Sequence, residues 1–163
     1  MKEERTPMRP NVVLDASILG HATGSDDFAD QCLDTLWRAG KSFRLVLDHE
    51  DHILGEYDRI VAKARRSPVE RWWVRLISVG SLLRVSGKID EADKQKLLDA
   101  GFDKSDLPYV SVAKQAGGAP IVHQDRGYCR CEDLICTLAG ARCLHAPAFI
   151  QELDEHGQIR TTC

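Results

Sequence analysis

The sequence predicts an α/β protein of three layers, with helices covering both faces of a central parallel sheet. Short apolar runs such as Asn11-Val12-Val13-Leu14 and Pro120-Ile121-Val122 alternate with longer segments whose apolar residues recur at helical spacing. Gly40, Gly87, Gly101, Gly117-Gly118 and Gly140 stand between these segments, where helix C-terminal capping favours glycine. Taken in order, the pattern gives a strand over 11–15, helical structure over 26–39 and a strand over 43–48. A helix over 50–66 follows from the stripe Ile53, Tyr57, Ile60, Val61 and Ala64, and a second over 68–78 carries Trp72 and Trp73. A strand at 81–86, a helix at 90–100 and a helix at 106–116, marked by Val110 and Ala113, lead to the buried strand 120–124. Helix 131–139, strand 142–145 and a final helix near 147–155 complete the chain.

Four carboxylates stand where this fold delivers side chains to one rim of the sheet. Asp15 and Asp125 end apolar strands, and ligands of open α/β sheets bind at that carboxyl edge. Glu56 lies beside the apolar stripe of its helix. Asp106 shares a face with Val110 and Ala113 at i, i+4 and i+7. Two carboxylates about 4 Å apart at an effective dielectric near 20 repel by roughly 4 kcal/mol, so convergence of all four calls for a hard divalent cation with oxygen ligands. Such an ion lowers the pKa of a bound water and neutralises a leaving oxygen, which suits phosphodiester hydrolysis. Each acid also has a plainer reading: Asp106 as a helix N-cap, Asp15 as a loop acid, Glu56 as a partly solvated helix residue and Asp125 as the first residue of a turn.

Other polar groups invite rival sites. Lys63, Arg65, Arg66, Arg71 and Arg75, interleaved with Trp72 and Trp73, form the most basic stretch and can track a phosphate backbone, with Arg66, Arg71 and Arg75 as the candidate contacts, although core tryptophans with solvated arginines are the preferred reading. His49-x-x-His52-x-x-x-Glu56 places three ligand types on one helical face without matching the H-E-x-x-H pattern, which leaves His52 as a phosphate contact. Cys129, Cys131, Cys136 and Cys143 lack paired C-x-x-C spacing and read as packed thiols rather than zinc ligands. The six cysteines are expected to be reduced.

At 163 residues, 43% hydrophobic and 29% charged, the chain can bury one core. The expected organisation is a polar tail over 1–10, one domain over 11–155 and a tail over 156–163. The net charge of -3 argues against indiscriminate binding to duplex nucleic acid. No apolar stretch resembles a signal peptide or a membrane span, so a cytoplasmic location is expected.

From Asn11 to Leu153 the ordered motifs resemble the PIN-domain nuclease family. Asn11-Val12-Val13-Leu14-Asp15-Ala16-Ser17 is similar to the family's first strand and acid, Leu54-Gly55-Glu56-Tyr57 to its helical acid, and Asp106-Leu107-Pro108 with Ile121-Val122-His123-Gln124-Asp125 to its third and fourth acids. Arg142 to Ile150 resembles the closing strand and last helix. The resemblance implies a five-stranded parallel sheet in the order 3-2-1-4-5. It also implies an endoribonuclease using Mg2+ or Mn2+ on Asp15, Glu56, Asp106 and Asp125, with Ser17 positioning water or supporting a ligand. The products would carry a 5′-phosphate and a 3′-hydroxyl. Expected partners are an RNA substrate, an antitoxin protein if the chain acts as a toxin, and a second copy in a homodimer. Two departures stand out: His123 replaces the hydroxyl residue usual before the fourth acid, where it can contact phosphate, ligate a metal or merely fill space, and the amino-terminal tail with the segment Arg65 to Lys88 makes the chain long for compact toxin members.

Three rivals are weaker. A haloacid-dehalogenase-like phosphatase needs Asp where Ser17 stands, and an integrin-type metal-binding module needs Ser where Leu19 stands. A catalytically silent PIN-like scaffold for RNA or protein shares the fold; retention of all four acids favours the enzyme.

Overall fold

The computed structural model describes residues 8–163. Its centre is a five-stranded sheet in the order β3-β2-β1-β4-β5, built from β1 (Asn11–Leu14), β2 (Arg44–Asp48), β3 (Leu82–Val85), β4 (Ile121–His123) and β5 (Cys143–His145). Every pairing is parallel. Both the three-layer class and the strand order therefore agree with expectation. Val12, Val13, Leu45, Leu47, Ile121 and Val122 are buried, as strands covered on both faces require.

The connecting helices are α1 (Ala16–Ala22), α2 (Ala29–Ser42), α3 (His52–Lys63), α4 (Pro68–Val79), α5 (Glu91–Asp99), α6 (Leu107–Gln115), α7 (Arg126–Ala139) and α8 (Ala146–His156). A single 3-10 turn, Lys104–Asp106, precedes α6. The chain fills one side of β1 with β2 and β3, then crosses to β4 and β5 on the other. The switch point of the sheet thus falls between β1 and β4, the crevice where doubly wound folds bind ligands.

Three local differences from the sequence reading have a clear physical reason. Helix α1 has no counterpart in that reading, because seven residues containing Gly20 give too short a periodic pattern. Helix α2 runs through Gly40 to Ser42 instead of ending at 39. A Cβ on Gly40 would stand 2.9 Å from Trp72 Nε1, so this glycine permits close helix packing and caps nothing. Helix α7 begins at Arg126, five residues early, because the Asp125 carboxylate caps it and turns Arg126-Gly127-Tyr128 into its first turn.

The expectation of six reduced thiols is corrected for two of them: Cys136 of α7 and Cys163 are joined in a disulfide. Cysteine spacing and context argue against a disulfide framework, but they do not bear on one pair brought together by a returning tail. Ile159 is buried, Arg142 donates to the Arg160 carbonyl at 2.9 Å, and the Arg142–Glu152 ion pair lies beneath, so residues after α8 pack on the domain. Of the tail expected over 1–10, residues 1–7 lie outside the described part. Among the described residues no helix is long and apolar enough to cross a membrane.

Candidate active site

Asp15 leaves β1 with its backbone N–H still bonded to the Val122 carbonyl of β4 at 2.9 Å. Its side chain, only 4% exposed, then folds over the start of α1. Oδ2 accepts the Ser17 N–H at 2.9 Å, and Oδ1 accepts the Tyr128 hydroxyl at 2.8 Å. Asp125 stands two residues beyond β4, exposed, with Oδ1 accepting the Gly127 N–H at 2.6 Å. Ser17 ties the two loops together: its Oγ accepts the Gln124 N–H at 2.9 Å. Two acids and a hydroxyl are thus fixed at the switch point.

Glu56 and Asp106 enter from helices. Asp48, buried at the end of β2, accepts the N–H groups of His52 at 2.8 Å and Ile53 at 2.9 Å, anchoring the first turn of α3. One turn on, Glu56 Oε2 accepts the Tyr109 hydroxyl of α6. Asp106 precedes α6 but makes no capping hydrogen bond. Asp103 caps the preceding turn instead, accepting the Ser105 N–H at 2.8 Å. The plain reading of Asp106 as an N-cap is therefore not what the structure holds, whereas Asp15 and Asp125 both cap helices with one oxygen.

The electrostatic effect of the other acids falls most strongly on Asp106. Burial pushes the Asp106 carboxyl up to about 7, with further upward pressure from Asp15, Asp125, Asp103 and Glu56. Burial likewise raises Asp15, with Asp125 adding to it, while hydrogen bonds from Ser17 and Tyr128 pull it back. Burial holds the Tyr128 phenol far above its ordinary value, and that phenol senses both Asp15 and Asp106. It stays protonated and donates. Among the described residues, none of the four carboxylates pairs with a lysine or arginine. Carboxylate oxygens suit a hard divalent cation by type, but among the described residues these acids do not form a group close enough to hold an ion as the structure stands.

The remaining sequence-selected residues divide. His52 is exposed at the rim, with Nε2 3.9 Å from Glu56 Oε1 and 3.2 Å from the Ser105 carbonyl oxygen. His123 is 1% exposed, stacked on Tyr128 with ring centroids 4.8 Å apart, and burial drives its imidazole down to about 4. It faces the interior, not an incoming phosphate. Arg66, Arg71 and Arg75 are exposed, and the elements that carry Arg66 and Arg75 lead away from the acids. Arg66 follows α3, whose rise carries Lys63 about 10 Å beyond Glu56. Arg75 lines a cavity of about 510 Å³ with Arg9, Lys41 and Gly80, residues that precede β1, β2 and β3 at the opposite, amino edge of the sheet. Trp72 and Trp73 are buried, with Nε1 donating to the Leu36 carbonyl at 2.6 Å and to Asp58 Oδ1 at 3.0 Å respectively, so neither ring offers a stacking platform.

Sequence reasoning passed over Asp48 and the tyrosines. Tyr57 of α3 donates to the Leu14 carbonyl, Tyr109 to Glu56 and Tyr128 to Asp15. Each of these tyrosines lies within three residues of one of the acids, a proximity visible in the sequence, where Tyr57 reads only as part of the apolar stripe and the other two take no role.

No protein-family model matches the sequence, and no curated protein matches it. Among solved structures the chain is similar to VapBC2 from Rickettsia felis, determined bound to a DNA fragment from their promoter, at 15% identity and a TM-score of 0.52 over 83% of this chain and 98% of that one. At that identity the likeness shows the fold.

Proposed function

We propose that this chain is a divalent-metal-dependent endoribonuclease. The observation that carries the reading is Asp106: released from capping, crowded by Asp15, Asp125 and Glu56, and lifted to about 7 with no basic partner. A carboxylate is held so at a cost to the fold, which is expected where the acid serves a site. Asp15, Asp125, Asp106 and Glu56 would hold Mg2+ or Mn2+. When bound, the ion supplies an acidified water and neutralises charge on the leaving oxygen. Tyr128 and Tyr109 fix the rotamers of Asp15 and Glu56 by donating to one oxygen of each; Asp15 Oδ2 also accepts the Ser17 N–H, so each Asp15 oxygen would offer a ligand its remaining lone pair. Ser17 holds the Gln124 backbone so that Asp125 stands opposite Asp15. His52, exposed beside Glu56, would donate to a substrate phosphate.

The choice of RNA, the 5′-phosphate product and the toxin role with an antitoxin partner rest on the motif resemblance, and the fold likeness to VapBC2 is in keeping with it. A homodimer belongs to the same reading. The test is incubation of purified protein with total cellular RNA and Mg2+ or Mn2+, with mapping of cut ends. Discrete cuts bearing 5′-phosphate that vanish with chelator support the proposal. RNA left intact under all metal conditions, but bound, would favour the silent scaffold.

A further inference from the structure

Among the described residues, one group of side chains is close enough to ligate a metal ion, and it is distinct from the four acids. Parallel register pairs His123 of β4 with His145 of β5, and residues so paired project from the same face of adjacent strands about 4.8 Å apart. Their ring centroids are 4.9 Å apart. Cys129, one turn into α7, brings Sγ to 3.5 Å from His145 Nε2. One ligand atom from each of His123, Cys129 and His145 lies within 4.8 Å of the others. With Zn–S near 2.3 Å and Zn–N near 2.0 Å, sulfur and nitrogen on one tetrahedral ion stand roughly 3.5 Å apart, so the Cys129–His145 edge is already at ligand spacing. A second, independent observation comes from His123, which is 1% exposed and has a buried Nδ1 with no hydrogen-bond partner. Buried polar atoms are seldom left so without a reason.

We infer that His123, Cys129 and His145 form a site for a thiophilic divalent cation of the Zn2+ class. Two imidazoles and a thiolate select such an ion over Mg2+, whereas the carboxylates nearby select the hard ion, so donor chemistry sorts the two sites. Binding requires Cys129 to release its thiol proton to solvent, and both Cys129 and His145 are exposed enough for ion and proton to exchange. Three protein ligands leave a fourth position to water, the open type of zinc site. This differs from the cysteine-rich cluster considered in the sequence. It takes one of those cysteines, with histidines from the ends of two neighbouring strands, while Cys131 and Cys143 stay buried. It uses none of the four acids and stands independently of the ribonuclease reading.

The test titrates metal-free protein with Co2+, read by absorption, and with Zn2+, read by calorimetry, both in excess Mg2+. Wild type should bind one equivalent and show a thiolate-to-Co2+ charge-transfer band. Cys129→Ser should abolish the band, and Cys129→Ser and His145→Gln should each weaken Zn2+ binding by at least about tenfold. Both positions are exposed, so the variants should fold, which circular dichroism verifies. Asp15→Asn should leave the titration unchanged. No band in wild type, or equal Zn2+ affinity in wild type, Cys129→Ser and His145→Gln, would overturn the assignment.

Discussion

The Tyr128 hydroxyl donates to Asp15 Oδ1 at 2.8 Å, so α7 and the end of β1 are joined through the candidate site itself. The bond spans 113 positions of sequence and lies entirely in the interior. A hydrogen bond to a charged acceptor contributes about 1.5–3 kcal/mol. Tyr128→Phe should therefore lower the unfolding free energy by roughly 2 kcal/mol and, by freeing the Asp15 rotamer, reduce metal-dependent cleavage about tenfold. Denaturant unfolding and initial rates measure the two effects. Lost stability with an unchanged rate would make Tyr128 a purely structural residue.

Asp106 predicts a pH dependence of the metal-free protein. Its carboxyl is raised from 3.8 to about 7 on folding, so between those values the folded state binds a proton that the unfolded chain has released. Wild type accordingly loses stability as pH rises through that window. Asp106→Asn carries no such proton. Its stability relative to wild type should be greatest above about pH 7 and should fall away toward about pH 4. Chelator-treated samples unfolded in denaturant across this range provide the check; a variant less stable than wild type at high pH would mean that Asp106 supports the fold.

Much of this arrangement was legible in the sequence. The apolar runs that end before Asp15 and Asp125 fix where these acids emerge, because a buried parallel strand releases the chain at the sheet edge, one residue after β1 for Asp15 and two after β4 for Asp125. The helical spacing of Ile53, Tyr57 and Val61 marks the face that Glu56 borders. What could not be read depends on distant contacts. Asp125 as the cap that starts α7 looks like a turn until the helix packs. The Cys136–Cys163 link requires knowing that the chain returns past Arg142. His123 meets His145 only through the β4–β5 register, and Arg75 parts from the acids only because α4 ends at the amino edge of β3.

That separation yields a prediction for substrate binding. Removing one cation that neutralises a phosphate flattens the salt dependence of nucleic-acid affinity by about one unit of slope. Replacing Arg66, Arg71 and Arg75 together with Ala should leave both RNA affinity and salt slope close to wild type, whereas His52→Ala should weaken binding. Titrations at several salt concentrations decide this. A slope flattened by about two or three units in the triple variant would route RNA across α4.

Gly40 offers a test of the packing. Ala is favoured over Gly inside a helix by about 1 kcal/mol. Here the added methyl would press on Trp72 Nε1, 2.9 Å away, which is held by its bond to the Leu36 carbonyl. Overpacking of this kind costs about 1–3 kcal/mol. Gly40→Ala should be net destabilising in thermal melts, and an increase in Tm would show that α2 and α4 are packed less closely.

Whether the acids at the switch point perform metal-dependent hydrolysis is decided by Asp15→Asn. The substitution removes one charged ligand oxygen and almost no volume. Cleavage of RNA in Mg2+ or Mn2+ should fall at least about a hundredfold, while a melt of the metal-free protein shows the fold retained. Cleavage at the wild-type rate by a folded Asp15→Asn protein, still abolished by chelation, would place the reaction elsewhere and overturn the assignment of the site.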